Sequence, residues 1–196
     1  MTQVHRPFAA ALWMAGSITA FTTMAVAGRM VSGAHDTFEI MTWRSLVGLI
    51  LVVSVAGAAG RLGEIRTDRL GQHLLRNLFH FTGQNLWFYA LALIPLAQLI
   101  ALEFTSPIWV ILLGPIFLAE RITRVRAFCA LLGFTGILIV ARPDFGHVDL
   151  GVLAAAGSAI GFAASIIMTK ALTRGESIVS ILFWLTLMQL CFGLIC

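Results

Sequence analysis

The chain has 196 residues, 59% of them hydrophobic and 11% charged, and its mean hydropathy is +0.94. A soluble domain is about 45–50% apolar and about 25% charged, so too little polar surface exists here to cover a water-soluble globule. A soluble enzyme, a secreted disulfide domain and a nucleic-acid binder are excluded. The net charge of +4 and pI near 9.6 come from thirteen basic residues whose placement reads as membrane topology rather than as a polyanion footprint.

Apolar runs separated by loop punctuation fall at 8–28, 39–59, 74–94, 96–119, 127–141, 149–169 and 178–196. A crossing takes about 20 apolar residues. All seven are predicted to be helices, because backbone groups in lipid must be satisfied within the segment and no barrel-type alternation is present. The expected fold class is an all-α integral membrane protein, a multi-pass helical bundle. In the first run, Arg6 and the small-x-small pattern Ala25-Val26-Ala27 imitate a cleaved signal. The run is longer than a usual signal core and has a counterpart later in the chain, so it is kept as a span. The run 127–141 would reach only about 22 Å at 1.5 Å per residue, and is expected to extend into Val125 or to thin the bilayer locally. Cys129, Cys191 and Cys196 sit in apolar runs without metal-ligand spacing and are expected to be reduced core residues.

With the N-terminus cytoplasmic, Arg6, Arg61, Arg66, Arg69, Arg76, Arg121, Arg124, Arg126, Lys170 and Arg174 collect on the inner side. Only Arg29, Arg44 and Arg142 remain for the outer half, a bias that sets the orientation.

Sliding the chain on itself by 141 positions aligns Ala15-Gly16-Ser17 with Ala156-Gly157-Ser158, Phe21 with Phe162, Arg29 with Lys170 and Trp43 with Trp184. Equivalent helices are then five spans apart, an odd number, so they cross in opposite directions. Inverted repeats of this kind are an architecture of secondary transporters, with the substrate site near the midplane where the halves meet. The expected division is a five-helix repeat at 8–141 and the first two helices of a second repeat at 149–196. Three further helices are expected to follow.

Several motifs carry a resemblance: Phe38-Glu39-Ile40-Met41-Thr42-Trp43-Arg44 opening the second span, Leu75-Arg76-Asn77 opening the third, Thr105-Ser106-Pro107 in the fourth, Leu118-Ala119-Glu120-Arg121 closing it, and the run from Gly133 to Pro143 in the fifth. In this order and spacing the chain resembles the drug/metabolite transporter superfamily, specifically its EamA-type members with ten helices in two five-helix halves. The resemblance implies a transporter of small organic metabolites, an exporter or exchanger, in a bacterial inner membrane. Within the family the pattern most resembles the branch that includes S-adenosylmethionine and riboflavin carriers, implying an amino-acid-like or a nucleoside- or flavin-like cargo.

A charged side chain at membrane depth costs a few kcal/mol or more and marks a functional candidate. Arg44 lies about five residues inside the second span, roughly 8 Å deep, and Glu103 about seven residues inside the fourth. They are expected to face one cavity, to pair when it is empty and to exchange partners with substrate or a proton. A permanent structural ion pair, or an Arg44 that snorkels to the headgroups, stays open as the other reading. Pro107 lacks the N–H that would engage the carbonyl of Glu103, so that carbonyl is expected to be available to a cation or polar substrate group. Pro115 does the same for Ile111 and suggests a second bend. His80 and Gln84, four apart, share a face of the third span with Asn85 flanking it. Polar side chains at this depth line a cavity or bind a neighbouring helix. Trp43 and Trp109 are candidates for stacking on a ring-bearing substrate, or for interfacial anchoring, and Gln189 is a further candidate. Glu39 is expected to be solvated at the outer end of the second span. The outer-loop residues His35, Asp36, Asp144, His147 and Asp149 have no metal-site spacing, and no cofactor signature is present.

No phosphate-cradling glycine loop followed by Lys-Ser/Thr occurs, which argues against an intrinsic ATP motor. A membrane enzyme built on His80 and Glu103 is the competing reading, without a recognised zinc or nucleophile motif to support it. A half-transporter that completes itself with a partner, including a homodimer, is a third.

Overall fold

The computed structural model describes residues 7–118, 123–141 and 149–196. The features expected at Arg6, at 119–121 and at 142–148 lie outside the described residues. Within them the chain forms α1 (Pro7–Val31), α2 (Thr37–Ala58), a short 3-10 turn (Leu62–Glu64), α3 (Leu70–Leu93), α4 (Leu96–Glu103), α5 (Ser106–Leu118), α6 (Arg124–Ala141), α7 (Leu150–Leu172) and α8 (Ile178–Ile195), with no strand among the described residues. The seven expected spans are all helical, the fourth divided into α4 and α5. The fifth gains its missing turn by starting at Arg124, as expected from its short apolar run.

Local chemistry explains the boundaries. Asp36 caps α2 in a reciprocal capping box: its Oδ1 accepts from the Glu39 amide at 2.8 Å, and Glu39 Oε2 accepts from the Asp36 amide at 3.4 Å. Glu39 is exposed, as expected, and this cap is its structural role. Asp149 caps α7 and Ser177 caps α8 through side-chain oxygens that accept from Gly151 and Ser180 amides. The end of α1 at Val31 recurs at the end of α7, Leu172, and the start of α2 at Thr37 recurs at the start of α8, Ile178. Both displacements are the 141 positions found in the sequence.

Among the described residues, five helical stretches are long and apolar enough to cross a membrane: Phe8–Val31, Thr37–Ala58, Leu96–Pro115, Leu150–Leu172 and Ile178–Ile195. The 24-residue α3 is long enough but too polar to be among them, and its polar residues are turned inward: His73, Arg76, Asn77 and Gln84 are all buried. It packs most extensively against α7, and α2 packs most extensively against α8. Outward faces are apolar, with Trp13 and Met30 both 80% exposed, as a lipid-facing surface requires. Cys129, Cys191 and Cys196 are exposed and unpaired. This corrects their assignment to the core: in lipid an apolar residue gains nothing from turning inward, so apolarity does not predict burial.

The α3–α7 seam is a backbone contact made by two glycines. A Cβ on Gly161 would sit 3.0 Å from Gly83 Cα and 3.1 Å from the Phe79 carbonyl, and one on Gly83 would sit 3.2 Å from the Ser158 carbonyl. These are backbone atoms, so neither helix can accommodate a methyl without moving apart. At the other end of α3, where Pro95 stops the helix, Arg29 of α1 donates to the orphaned carbonyls of Leu91, at 3.0 Å from Nε, and of Ile94. A residue expected only as a topology signal thus caps a neighbouring helix.

Two outcomes follow for stability. Gly161→Ala is expected to cost about 1–3 kcal/mol by overpacking and to lower the thermal midpoint in detergent. Gly16→Ala, with nothing within 4 Å of its Cβ, leaves the midpoint unchanged or higher; equal midpoints for the two variants would contradict the seam. Arg29→Gln removes charged hydrogen bonds worth about 1.5–3 kcal/mol each and is expected to speed hydrogen exchange at the C-terminal end of α3. Unchanged exchange there would show that the cap is not needed.

Candidate functional site

The polar face of α3 opens into a cavity of about 1160 Å³ walled by α1, α2, α3, α4, α5 and α7. Arg76, His80 and Gln84 recur at intervals of four along α3 and stack on one face, and all three line the cavity together with Arg44, Glu103, Pro107 and Lys170. A second cleft of about 780 Å³ between α4, α5 and α6 is lined, among the described residues, by apolar side chains. The larger cavity, which joins charged and amide groups to an apolar wall, is the candidate site.

Arg44 and Glu103 face the same cavity but do not pair. Glu103 Oε2 accepts a hydrogen bond from Trp87 Nε1 at 2.7 Å. The Arg44 guanidinium instead rests near Met24 Sδ at 3.7 Å and over the Phe88 ring, 6.0 Å from its centroid, a range in which a cation still gains from the ring face. Trp87 and Phe88 pack edge to face at 5.1 Å, both nearly fully buried. Two aromatic rings therefore stand in the line of contacts between the base and the acid.

The fourth span breaks beside Glu103. The amide of Thr105 bonds back only three residues, to Leu102, and α5 restarts with Ile108 and Trp109 bonding to the Thr105 carbonyl. The carbonyl of Glu103 that Pro107 deprives of its helical donor is taken by the Ser106 hydroxyl at 2.7 Å. The break is as expected; the free carbonyl is not, because a serine one residue before the proline supplies the missing hydrogen bond. Pro115 lies within the continuous helix α5.

At the other end of α3, Arg76 donates to Thr169 Oγ1 at 3.0 Å and to Asn77 Oδ1 at 2.9 Å. Asn77 donates to the Trp184 carbonyl at 3.2 Å, and Gln189 donates to the Asn77 carbonyl at 3.2 Å. This network joins α3 to α7 and α8, and places Gln189 in a buried interhelical contact away from the cavity. Ser165 of α7 lies 3.4 Å from His80 Nδ1. Gln84 Oε1 on the cavity wall is buried without a hydrogen-bond partner among the described residues, as are Asn85 Oδ1 and Gln189 Oε1 outside the cavity.

Arg44, His80, Gln84, Glu103 and Pro107 are thus brought together. Trp43, Asn85 and Trp109 are not among the lining residues. Trp43 is 66% exposed on the outer surface of α2, and Asn85 donates to the Phe81 carbonyl of its own helix at 2.9 Å. Sequence reasoning did not name Arg76 and Lys170 as site residues: both were read as topology signals, Arg76 also as part of a family motif and Lys170 as the repeat match of Arg29. The spacing of four that joined His80 to Gln84 also reaches Arg76 and was the signal available for it. Among the described residues no group of three or more His, Cys, Asp or Glu side chains is placed to hold a metal ion.

The model of the EamA-like transporter family matches residues 8–142. A riboflavin transporter of Brucella anthropi is 34% identical over 142 residues, covering 72% of this chain and 50% of that protein. An S-adenosylmethionine uptake transporter of Rickettsia bellii is 26% identical over 172 residues, covering 88% of this chain and 59% of that protein. The chain therefore spans between half and three-fifths of the length of these relatives. A solved crystal structure shares the fold at a TM-score of 0.63 and 19% identity, over 89% of this chain and 61% of that one. With the family model covering well over half of its residues, this multi-pass helical membrane protein belongs to the EamA-like transporter family, within the drug/metabolite transporter superfamily.

Proposed function

We propose that the protein is a secondary transporter of small organic metabolites that works by alternating access across a bacterial inner membrane, with its N-terminus in the cytoplasm. The observation that carries this reading is the cavity of about 1160 Å³ that gathers Arg44, Arg76, His80, Gln84 and Glu103 inside a bundle whose outer surface is apolar. Charged and amide side chains at membrane depth are expensive unless they serve a pathway. The relatives named as riboflavin and S-adenosylmethionine transporters support small-molecule cargo of the same kind.

Two features suit the cavity to a moving site. The helix break at Phe104 and Thr105 lies next to Glu103, so α4 and α5 can pivot without tearing a continuous hydrogen-bond ladder, as in broken transporter helices. The coincidence of helix boundaries at a displacement of 141 residues supports reading 8–141 as a first five-helix repeat and 149–196 as the opening of a second, inverted one. The cavity lies where α1 to α5 of the first repeat meet α7 of the second.

The test is flux in proteoliposomes carrying the full-length protein, with radiolabelled riboflavin and S-adenosylmethionine as first probes and counterflow to score exchange. Flux above protein-free vesicles is expected. Glu103→Gln, which removes the cavity's acid while keeping an acceptor for Trp87, is expected to reduce that flux at least tenfold. Trp43→Phe, on the outer surface, keeps it. Full flux by Glu103→Gln together with loss by Trp43→Phe would place the pathway elsewhere.

A further inference from the structure

The charges on the cavity wall are unequal. Among the described lining residues, the guanidiniums of Arg44 and Arg76 stand against one carboxylate, Glu103. That carboxylate is engaged by the Trp87 indole rather than by a base. Among the described residues neither arginine has an anionic partner: Arg44 contacts a thioether and a phenyl ring, and Arg76 donates to a hydroxyl and an amide. Both arginines line the same cavity, Arg76 one turn from His80 on α3 and Arg44 arriving from α2 over the Phe88 ring.

A guanidinium withdrawn from water loses several kcal/mol of hydration, and neutral contacts return only part of it. The group that returns the most is one with two acceptor oxygens in a plane, because the guanidinium fork matches a carboxylate or phosphate with two parallel hydrogen bonds. The rest of the wall is aromatic: Phe21 packs edge-on against Trp87 at 6.0 Å, and Phe162 packs against His80 at 5.7 Å. A solute fitting this surface has an anionic head and a flat apolar body.

We propose that the cavity binds an organic anion, its carboxylate or phosphate head taken by Arg44 and its ring body lying against the aromatic wall that Phe21, Trp87 and Phe162 provide. This rests on the transporter reading of the same cavity and adds the chemical class of its cargo.

The test uses two matched pairs in which only the anion changes: riboflavin against its 5′-phosphate, and 3-phenylpropionamide against 3-phenylpropionate. Binding to the full-length protein in detergent is measured by calorimetry. In at least one pair the anion is expected to bind tenfold or more tighter than its neutral partner. A preference confined to the flavin pair assigns the head to phosphate esters, and one confined to the phenyl pair assigns it to carboxylates. Arg44→Gln brings the ratio within about twofold, and Arg44→Lys, which keeps the charge but loses the fork, retains an intermediate ratio. The wild-type ratio needs no variant, so the test survives if a substitution fails to fold. Equal affinities within both pairs, or no binding by any of the four compounds, would overturn the anion site. Flux in proteoliposomes scores the transporter reading separately and can succeed when this fails.

Discussion

Lipid offers no hydrogen bonds, and the rest of this structure follows from what that demands of α3. This helix carries His73, Arg76, Asn77, His80, Gln84 and Asn85 along a span-length segment, too many polar groups to face hydrocarbon. They must be covered by other helices or by a cavity that admits polar solutes. The backbone contact at Gly83 and Gly161 supplies the cover by bringing α7 against α3 closely enough that no side chain fits between. Once that seam exists, Arg76 reaches Thr169 across it and Asn77 reaches α8. The part of the polar face that α7 and α8 do not cover becomes the cavity wall.

The site then acquires its electrical character from what the seam leaves unpaired. Arg44 arrives from α2 and Glu103 from the end of α4, and the edge-to-face rings of Trp87 and Phe88 complete a line of contacts between them. A closed salt bridge would have to be broken before either charge could meet a solute, at a cost of about 3–5 kcal/mol for a buried pair. Holding the acid on an indole N–H and the base on a ring face keeps both ordered by weaker contacts that a solute can displace. The helix break beside Glu103 has the same economy: Ser106 satisfies the carbonyl that Pro107 abandons, so the bend itself leaves that backbone acceptor with a partner.

The fold was largely legible in the sequence, because span length and apolarity are one-dimensional properties that lipid enforces. The helix starts at Thr37 and Ile178 lie 141 positions apart, the displacement at which the sequence aligns with itself. Arg44 and Glu103 were legible as candidates for the same reason: a charge inside an apolar run is conspicuous. What stayed hidden depends on rotation about helix axes and on partners distant in sequence. Arg76 looked like one of many basic residues marking the cytoplasmic side, although its spacing from His80 placed it on the cavity face. The three cysteines were assigned inward because they sit in apolar runs, and in lipid an apolar run does not mark burial. The Trp87 to Glu103 bond and the Arg29 cap on α3 link different helices and leave no periodic trace.

The central claim is that a polar, solute-accessible cavity lies inside a lipid-facing bundle, and substrate-protected labelling of single cysteines tests it most directly. In a background with Cys129, Cys191 and Cys196 replaced by alanine, Thr22→Cys on the cavity wall and Trp13→Cys on the outer face of α1 would be treated with a membrane-impermeant maleimide in native vesicles. The account predicts that the cysteine at 22 is labelled and becomes protected when a transported compound is added, while the one at 13 stays unlabelled. Labelling at 13 with none at 22, or labelling at 22 that no transported compound slows, would contradict it.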